Sequence, residues 1–223
     1  MQLNDLYVDI DYELTSSIYE EKREKTVYLN PIDSSTMEAY TRVKNSRIVA
    51  LPLILFNYGH KKFNIILGEH TLTQAYREFL SDALLAECNR SACFSLKTNT
   101  EVPLADAYVL DIEIIRNKTV SGIQETNVLI VVPNFSDLTY FSTKYHVLPT
   151  SSDLEIAVSL KKEANILWEK QYSTRQYFEH SSYVDLVELS ERCVFKMTHC
   201  LSLATEQIVT DISRDLNIIL SVQ

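Results

Sequence analysis

Glycine is nearly absent from the chain: only Gly59, Gly68 and Gly122 occur in 223 residues, and no two lie close in sequence. Phosphate-cradling loops need clustered glycines so that backbone N–H groups can approach the ligand. Walker-type and dinucleotide-binding loops are therefore excluded. A basic excess is lacking too. Lys and Arg number 21 against 30 Asp and Glu, a net charge of −9, so the cations that would neutralise nucleic-acid phosphates are missing and no nucleic-acid partner is expected. No apolar run reaches the roughly 20 residues of a transmembrane helix, so no transmembrane segment is expected. Met1-Gln2-Leu3-Asn4-Asp5 lacks the basic start and apolar stretch of an export signal.

Signatures of chemistry are also scarce. The five histidines, His60, His70, His146, His180 and His199, show no His-Glu-x-x-His spacing, and no Gly-x-Ser-x-Gly elbow occurs. Glu69-His70 could form an acid–base pair, but sequence neighbours point apart, and a surface pair at a helix start is the simpler reading. Asp9, Asp11 and Glu13 recur with period two on one presumed strand face and could hold a cation; a solvent-facing side explains them as well. Cys88, Cys93, Cys193 and Cys200 do not match zinc spacing. They read as small buried apolar residues. No catalytic residue, cofactor or metal site is expected.

What is present is an ordinary globular composition, with 46% apolar and 23% charged residues, enough for a real core. Alternation predicts a strand over Leu6–Leu14. Asp33-Ser34-Ser35 could cap a short helix through Met37 and Tyr40. Arg47–Tyr58 reads as a buried strand, with Pro52 at an edge or bulge. Gly59-His60-Lys61-Lys62 reads as a turn and Phe63–Leu67 as the returning strand of a hairpin. Thr71 to Gln74 fits a capping box, and Leu72, Tyr76, Phe79, Leu80, Ala83, Leu84 and Cys88 follow with helical spacing to about Asn89. Phe94–Lys97 is a short strand. Ala107–Arg116 and Ile123–Val132 are two strands joined by a turn at Asn117–Gly122. Residues 134–150 are irregular. Leu154–Leu160 and Ile166–Tyr177 are strands around a turn at Lys161–Asn165. From Asp185 on, Leu186, Leu189, Cys193, Met197, Cys200, Ala204, Ile208, Ile212, Leu216 and Ile219 recur every three or four residues without Pro or Gly. Their broad apolar stripe is suited to lying on a sheet. The irregular stretch carries Phe135, Tyr140, Phe141 and Tyr145, a candidate interaction surface if exposed and plain core if not, since aromatics enrich interface cores.

Two stretches carry a family likeness. One is Phe63-Asn64-Ile65-Ile66-Leu67-Gly68-Glu69, then the helix and Asn89-Arg90-Ser91-Ala92-Cys93-Phe94. The other is Ala105-Asp106-Ala107-Tyr108-Val109-Leu110-Asp111-Ile112, followed by Ile156-Ala157-Val158-Ser159-Leu160 and Ile166-Leu167-Trp168-Glu169-Lys170-Gln171-Tyr172. Over about residues 47–220 the chain resembles the small Gram-negative envelope lipoproteins that assist ABC-type transport or lipopolysaccharide assembly. The match rests on element order plus a few residue types. Members of that group begin with a lipid-modified cysteine, which has no counterpart here, and residues 1–46 and 134–150 are not matched. The resemblance implies a sheet backed by two helices, no catalytic residues, and function through protein or lipid contact. It also implies a periplasmic address with an outer-membrane anchor in the native form; a native start at Met1 would instead imply the cytoplasm.

The expected fold is α+β: a single antiparallel or mixed sheet packed on one face by two helices, the C-terminal one long. One domain is expected over 1–223, with an N-terminal strand and irregular extension at 1–46 and the helix-backed sheet at 47–220. The expected function is a non-enzymatic accessory or binding protein of a bacterial cell-envelope transport or assembly complex, with protein partners and possible lipid contact. The alternatives are a regulator docking on an envelope enzyme and a cytoplasmic enzyme working through Glu69 and His70 or the Asp9–Asp11 face.

Overall fold

The computed structural model describes residues 9–14, 16–20, 25–34, 42–45, 55–68, 72–99, 106–131, 139–163, 165–179, 182–184 and 186–222. Along these, the chain forms β1 (Lys25–Leu29), β2 (Asp33–Ser34), β3 (Arg42–Asn45), β4 (Leu55–Ile66), α1 (Tyr76–Ser91), β5 (Phe94–Thr98), β6 (Tyr108–Val131), β7 (Thr139–Val147), β8 (Thr150–Lys162), β9 (Asn165–Phe178), β10 (Ser182–Val184) and α2 (Leu186–Val222). All ten strands belong to one mixed sheet. The fold is α+β with a long C-terminal helix.

The sheet is organised around β6, a single strand of 24 residues. Its first part lies between β1 and β2, both parallel to it, and β8, which is antiparallel. Its second part lies between β4 and β7, both antiparallel. β5 extends the sheet beyond β1, β9 beyond β8, β3 beyond β4 and β10 beyond β7. β7 and β8 together make one long antiparallel partner of β6, interrupted at Leu148-Pro149.

That interruption is compensated. Between the pairs Ile123↔Val147 and Val120↔Ser151 the β7–β8 side holds one extra residue, and at Ile115 the β6 side holds one. A bulge reverses which residues face the core. The burial shows it: Leu110, Ile112 and Ile114 are buried, then Thr119, Ser121 and Ile123, with Ile115 exposed between the two sets. On the partner strands the buried parity changes between Val147 and Thr150. The seam carries hydroxyl groups that satisfy each other across the strands, Thr119 with Ser152 and Thr150 with Ser121, each at 2.8 Å.

Both helices cover one face of the β1–β5–β6–β8–β9 part. β8 alternates strictly, with Leu154, Ile156, Val158 and Leu160 buried under the helices. α2 has 37 residues, about 55 Å at 1.5 Å per residue. It buries Leu189, Cys193, Met197, Cys200, Leu201, Ala204, Ile208, Val209, Ile212, Leu216 and Leu220. It packs on β6, β7, β8, β9 and α1, while α1 packs on β5. Tyr76, Phe79, Leu80, Ala83, Leu84 and Cys88 form the buried stripe of α1.

Several expectations need correction. No turn occurs at Asn117–Gly122: the segment is strand throughout, because Thr119 and Ser121 find hydroxyl partners across the sheet and Gly122 admits Leu148. Leu148 donates its N–H to the Gly122 carbonyl at 2.7 Å, and a Cβ on Gly122 would come within 2.8 Å of Leu148 Cδ1. The hairpin at Gly59–Lys62 is likewise one strand, β4, paired with β6 over all 12 residues; Lys61 and Lys62 are exposed there, and Lys61 lies 4.0 Å from Glu125. Asp33-Ser34 is strand β2, not a helix cap. α1 begins with Ala75 at its N-cap and no side-chain cap; Glu78 and Phe79 donate their N–H groups to the Ala75 carbonyl. Thr71 lies outside the described residues, as do residues 47–54 and 35–41. Thr139–Val147, expected to be irregular, is strand β7.

Residues 9–14 are not a strand. Their alternation is nonetheless real: Ile10 and Tyr12 pack on the core while Asp9, Asp11 and Glu13 face outward. The surface beneath them is helical. Tyr12 donates a 2.9 Å hydrogen bond to the buried Glu87 of α1, Ser16 donates to the same carboxylate, and Arg90 Nε donates to the Ser16 carbonyl at 2.8 Å. Glu87 is 0% exposed, so these partners supply the hydrogen bonds a buried carboxylate requires.

Candidate interaction surface

The second half of the sheet differs from the first in what covers it. Gln124–Ile130 are all half-buried, and Tyr140–His146 are half-buried or exposed. Towards its end this half holds, among the described residues, three strands: Leu55–Gly59 of β4, Asn127–Val131 of β6 and Thr139–Thr143 of β7. Val128-Leu129-Ile130-Val131 is a continuous apolar run. Such a run suits a strand covered on both faces, yet Val128, Leu129 and Ile130 remain partly accessible.

The aromatic candidates fall on this half. Tyr140 is 55% exposed and Phe141 66% exposed. Tyr140 is paired with Ile130 and Phe141 with Leu129. Successive strand residues project to opposite faces, so the tip offers an aromatic on each side. Tyr145 lies four residues further along, opposite Glu125 and Val184, and packs against the core. Burial, with a smaller contribution from the Glu125 charge, pushes its phenol up from the ordinary range. Phe135 lies outside the described residues. Tyr140, Phe141 and Tyr145 therefore share a strand without converging on one patch, and the exposed pair is Tyr140 and Phe141. At the register positions opposite Ile130 and Val128 on the other side stand Phe56 and Tyr58, residues that sequence reasoning had assigned to a buried hairpin strand.

A second feature is a groove of about 530 Å³ on the sheet face away from the helices, lined by Asp33, Asp111, Glu113, Ala157, Ser159 and Glu169 among others. Ala157 and Ser159 make its floor low, and the acids stand on neighbouring strands. Lys161 neutralises Asp111 at 2.6 Å. Among the described residues no group of three or more His, Cys, Asp or Glu could hold a metal ion, which includes the Asp9–Asp11–Glu13 run. Glu69 and His70 lie outside the described residues.

The cysteines are free thiols, with Cys88, Cys193 and Cys200 buried and Cys93 partly so. Burial pushes Cys88 up to about 12 and Cys200 up to about 11, and it raises Cys193 too. Thiols held protonated in this way are poor nucleophiles. His199 stacks on Phe195 with ring centroids 6.0 Å apart and meets the edge of Phe178.

No family model matches the chain, and no curated protein matches its sequence. Solved structures do. A protein from Xanthomonas campestris, family model DUF330, superposes with a TM-score of 0.50 at 10% identity, covering 96% of this chain and 97% of that one. A putative neuraminyllactose-binding hemagglutinin homolog from Helicobacter pylori superposes with a TM-score of 0.40 at 10% identity, covering 94% of this chain and 92% of that one. Among the described residues no helix is long and apolar enough to cross a membrane. The chain shares the fold of the Xanthomonas protein along nearly its whole length.

Proposed function

We propose that the chain is a non-enzymatic binding and assembly module of a bacterial cell-envelope transport or assembly complex, acting as one domain over residues 1–223. The helix-backed half of the sheet is the scaffold, and the β4–β6–β7 tip, with the open sheet face beside it, is the contact surface. The observation that carries this reading is the apolar run Val128–Val131 flanked by exposed Tyr140 and Phe141, at the end of the sheet remote from the buried core. Exposed apolar and aromatic groups at one end of a sheet mark contact sites, and with Tyr140 and Phe141 on opposite faces a partner would grip the tip from both sides. The shared fold of the Xanthomonas protein is consistent with a bacterial setting, and the resemblance to envelope lipoproteins supports a periplasmic, membrane-anchored location with protein and lipid within reach.

Site-specific photo-crosslinking tests it. A benzophenone side chain is placed at position 140 or 141, or at exposed Ile218 of α2 as a control, in a Gram-negative bacterium that carries the gene. Crosslinks from 140 and 141 to a transport or assembly protein of the envelope are expected. Crosslinks from 218 alone, or none from 140 and 141, would overturn the assignment.

A further inference from the structure

The edge of the sheet formed by β9 has features that the proposed function does not use. Among the described residues β9 pairs only with β8, so its 14 residues present a row of N–H and C=O groups on the other side. The strand contains neither Pro nor Gly. Its one inward charge, Lys170, is matched by Asp215 of α2 at 2.6 Å. Short length, proline and unmatched inward charge guard many edge strands; β9 has none of these three, and its one bulge lies at the end of the strand, between Ile166 and Trp168.

We propose that two copies of this chain associate through β9, antiparallel about a two-fold axis at Tyr172, which joins their sheets into one. The register follows from charge. In an antiparallel pair of identical strands, directly opposite residues lie on the same face. β9 carries three charged residues, Glu169, Lys170 and Arg175. With Tyr172 opposite Tyr172 of the second copy, Glu169 of each chain faces Arg175 of the other. No other register sets opposite charges across the axis: Lys170 projects to the other face from both Glu169 and Arg175, and centring on a charged position sets like charges together. Opposite Cβ atoms in such a ladder are about 4.5–5.5 Å apart, within reach of an ion pair made twice.

The parity fits the single chain. Tyr172 and Thr174 face α2, where they bond Asp215 at 2.7 Å and Gln207 at 2.6 Å. Glu169 and Arg175 face the opposite side, where Glu169 lines the acidic groove and Arg175 lies 3.2 Å from Asp153. The bulge between Trp168 and Ile166 bounds the ladder to Trp168–Gln176, about 30 Å of strand at ~3.4 Å per residue. Apolar surface flanks it. His199 and Gln207 place one side of α2 beside β9, and on that side Leu203, one turn from each, is 38% exposed and Phe195 65% exposed. A two-fold axis perpendicular to the sheet brings both α2 helices to the same face, with these side chains towards the axis.

The test uses charge reversal and sedimentation with native mass spectrometry. The wild-type chain is expected at twice 25.7 kDa at micromolar concentration. Glu169→Arg alone and Arg175→Glu alone each set like charges opposite one another and should shift the mass to that of the monomer. Mixing the two single variants should give a heterodimer, and the double variant E169R/R175E should recover the homodimer. Thermal melting confirms that each variant folds; Glu169→Arg leaves Asp153 untouched should Arg175→Glu disturb it. A wild-type chain that remains at 25.7 kDa, single variants that stay dimeric, or a double variant and mixture that stay monomeric would each overturn the proposal.

Discussion

Thr205→Val should cost distinctly more stability than Tyr76→Phe, although both remove the same hydrogen bond. Tyr76 of α1 and Thr205 of α2 are 2% and 0% exposed, and their hydroxyl oxygens are 2.8 Å apart. Thr205 has one proton and donates it to the Leu201 carbonyl at 2.8 Å. Tyr76 must therefore be the donor of the bond between them. Tyr76→Phe removes that donor and leaves the Thr205 proton satisfied, at a cost of about 0.5–1.5 kcal/mol. Thr205→Val strands a phenol O–H in the core, at a cost of ~1–3 kcal/mol. With both changes no donor is stranded, so the double variant should lose no more than Tyr76→Phe alone, within about 0.5 kcal/mol, giving a coupling as large as the Thr205→Val loss itself, roughly 1–3 kcal/mol. Urea unfolding of the four proteins measures it, and each kcal/mol should move the melting point by about 2–4 °C for a chain of this size. Equal single losses or additive behaviour would show that the helices do not meet through this pair.

Met197→Asp and Phe79→Asp, at positions 1% and 8% exposed, would each bury an unpaired charge and should abolish the cooperative thermal transition; a melting point within a few degrees of wild type would contradict the helix packing. Gly122→Ala should lose about 1–3 kcal/mol, because the new methyl would lie 2.8 Å from Leu148 Cδ1 and 3.1 Å from its Cβ, and adding Leu148→Ala should relieve the contact with Cδ1 while leaving the one with Cβ, recovering part of the loss; chemical denaturation of the single and double variants measures both. Burial pushes the Asp215 carboxyl up, but hydrogen bonds from Lys170 and Tyr172 and the Lys170 and Arg214 charges outweigh it and hold the group below 3.8. Its folded value is depressed, so its stabilisation is full above the unfolded value and lost as pH falls through the folded one. Asp215→Asn should therefore reduce stability at neutral pH and flatten the acid limb below about pH 4; an unchanged acid limb in a pH series of melts would refute the linkage.

The helices and the β8–β9 pair were legible because their buried faces follow simple periods: three or four residues in α2, and two in Leu154, Ile156, Val158 and Leu160. β4 and β6 were not, and the cause is local. Gly59 and the Thr119–Gly122 run carry residues that usually end strands, but pairing along β6 satisfies their backbone and the cross-strand hydroxyls satisfy their side chains. The segment around Ile10 and Tyr12 has a strand's alternation because it lies one-sided on a surface, and sequence does not say whether that surface is a sheet or a helix. The aromatic residues at 140 and 141 could be singled out by type alone. Their placement on opposite faces, and the accessibility of Val128–Ile130 beside them, depend on β7 being a strand, which the polar residues Thr139, Ser142, Thr143 and Lys144 concealed.

The tip of the β4–β6–β7 sheet is tested most directly by the binding affinity of a Tyr140→Ser/Phe141→Ser double variant for the partner that crosslinking identifies, measured by calorimetry alongside a thermal melt. Both residues are more than half exposed, so stability should change by no more than about 0.5 kcal/mol per site. Affinity should fall by a factor of about 30 or more, the effect of losing a contact worth ~2 kcal/mol. Wild-type affinity in a stably folded double variant would contradict the assignment of the tip as the contact surface.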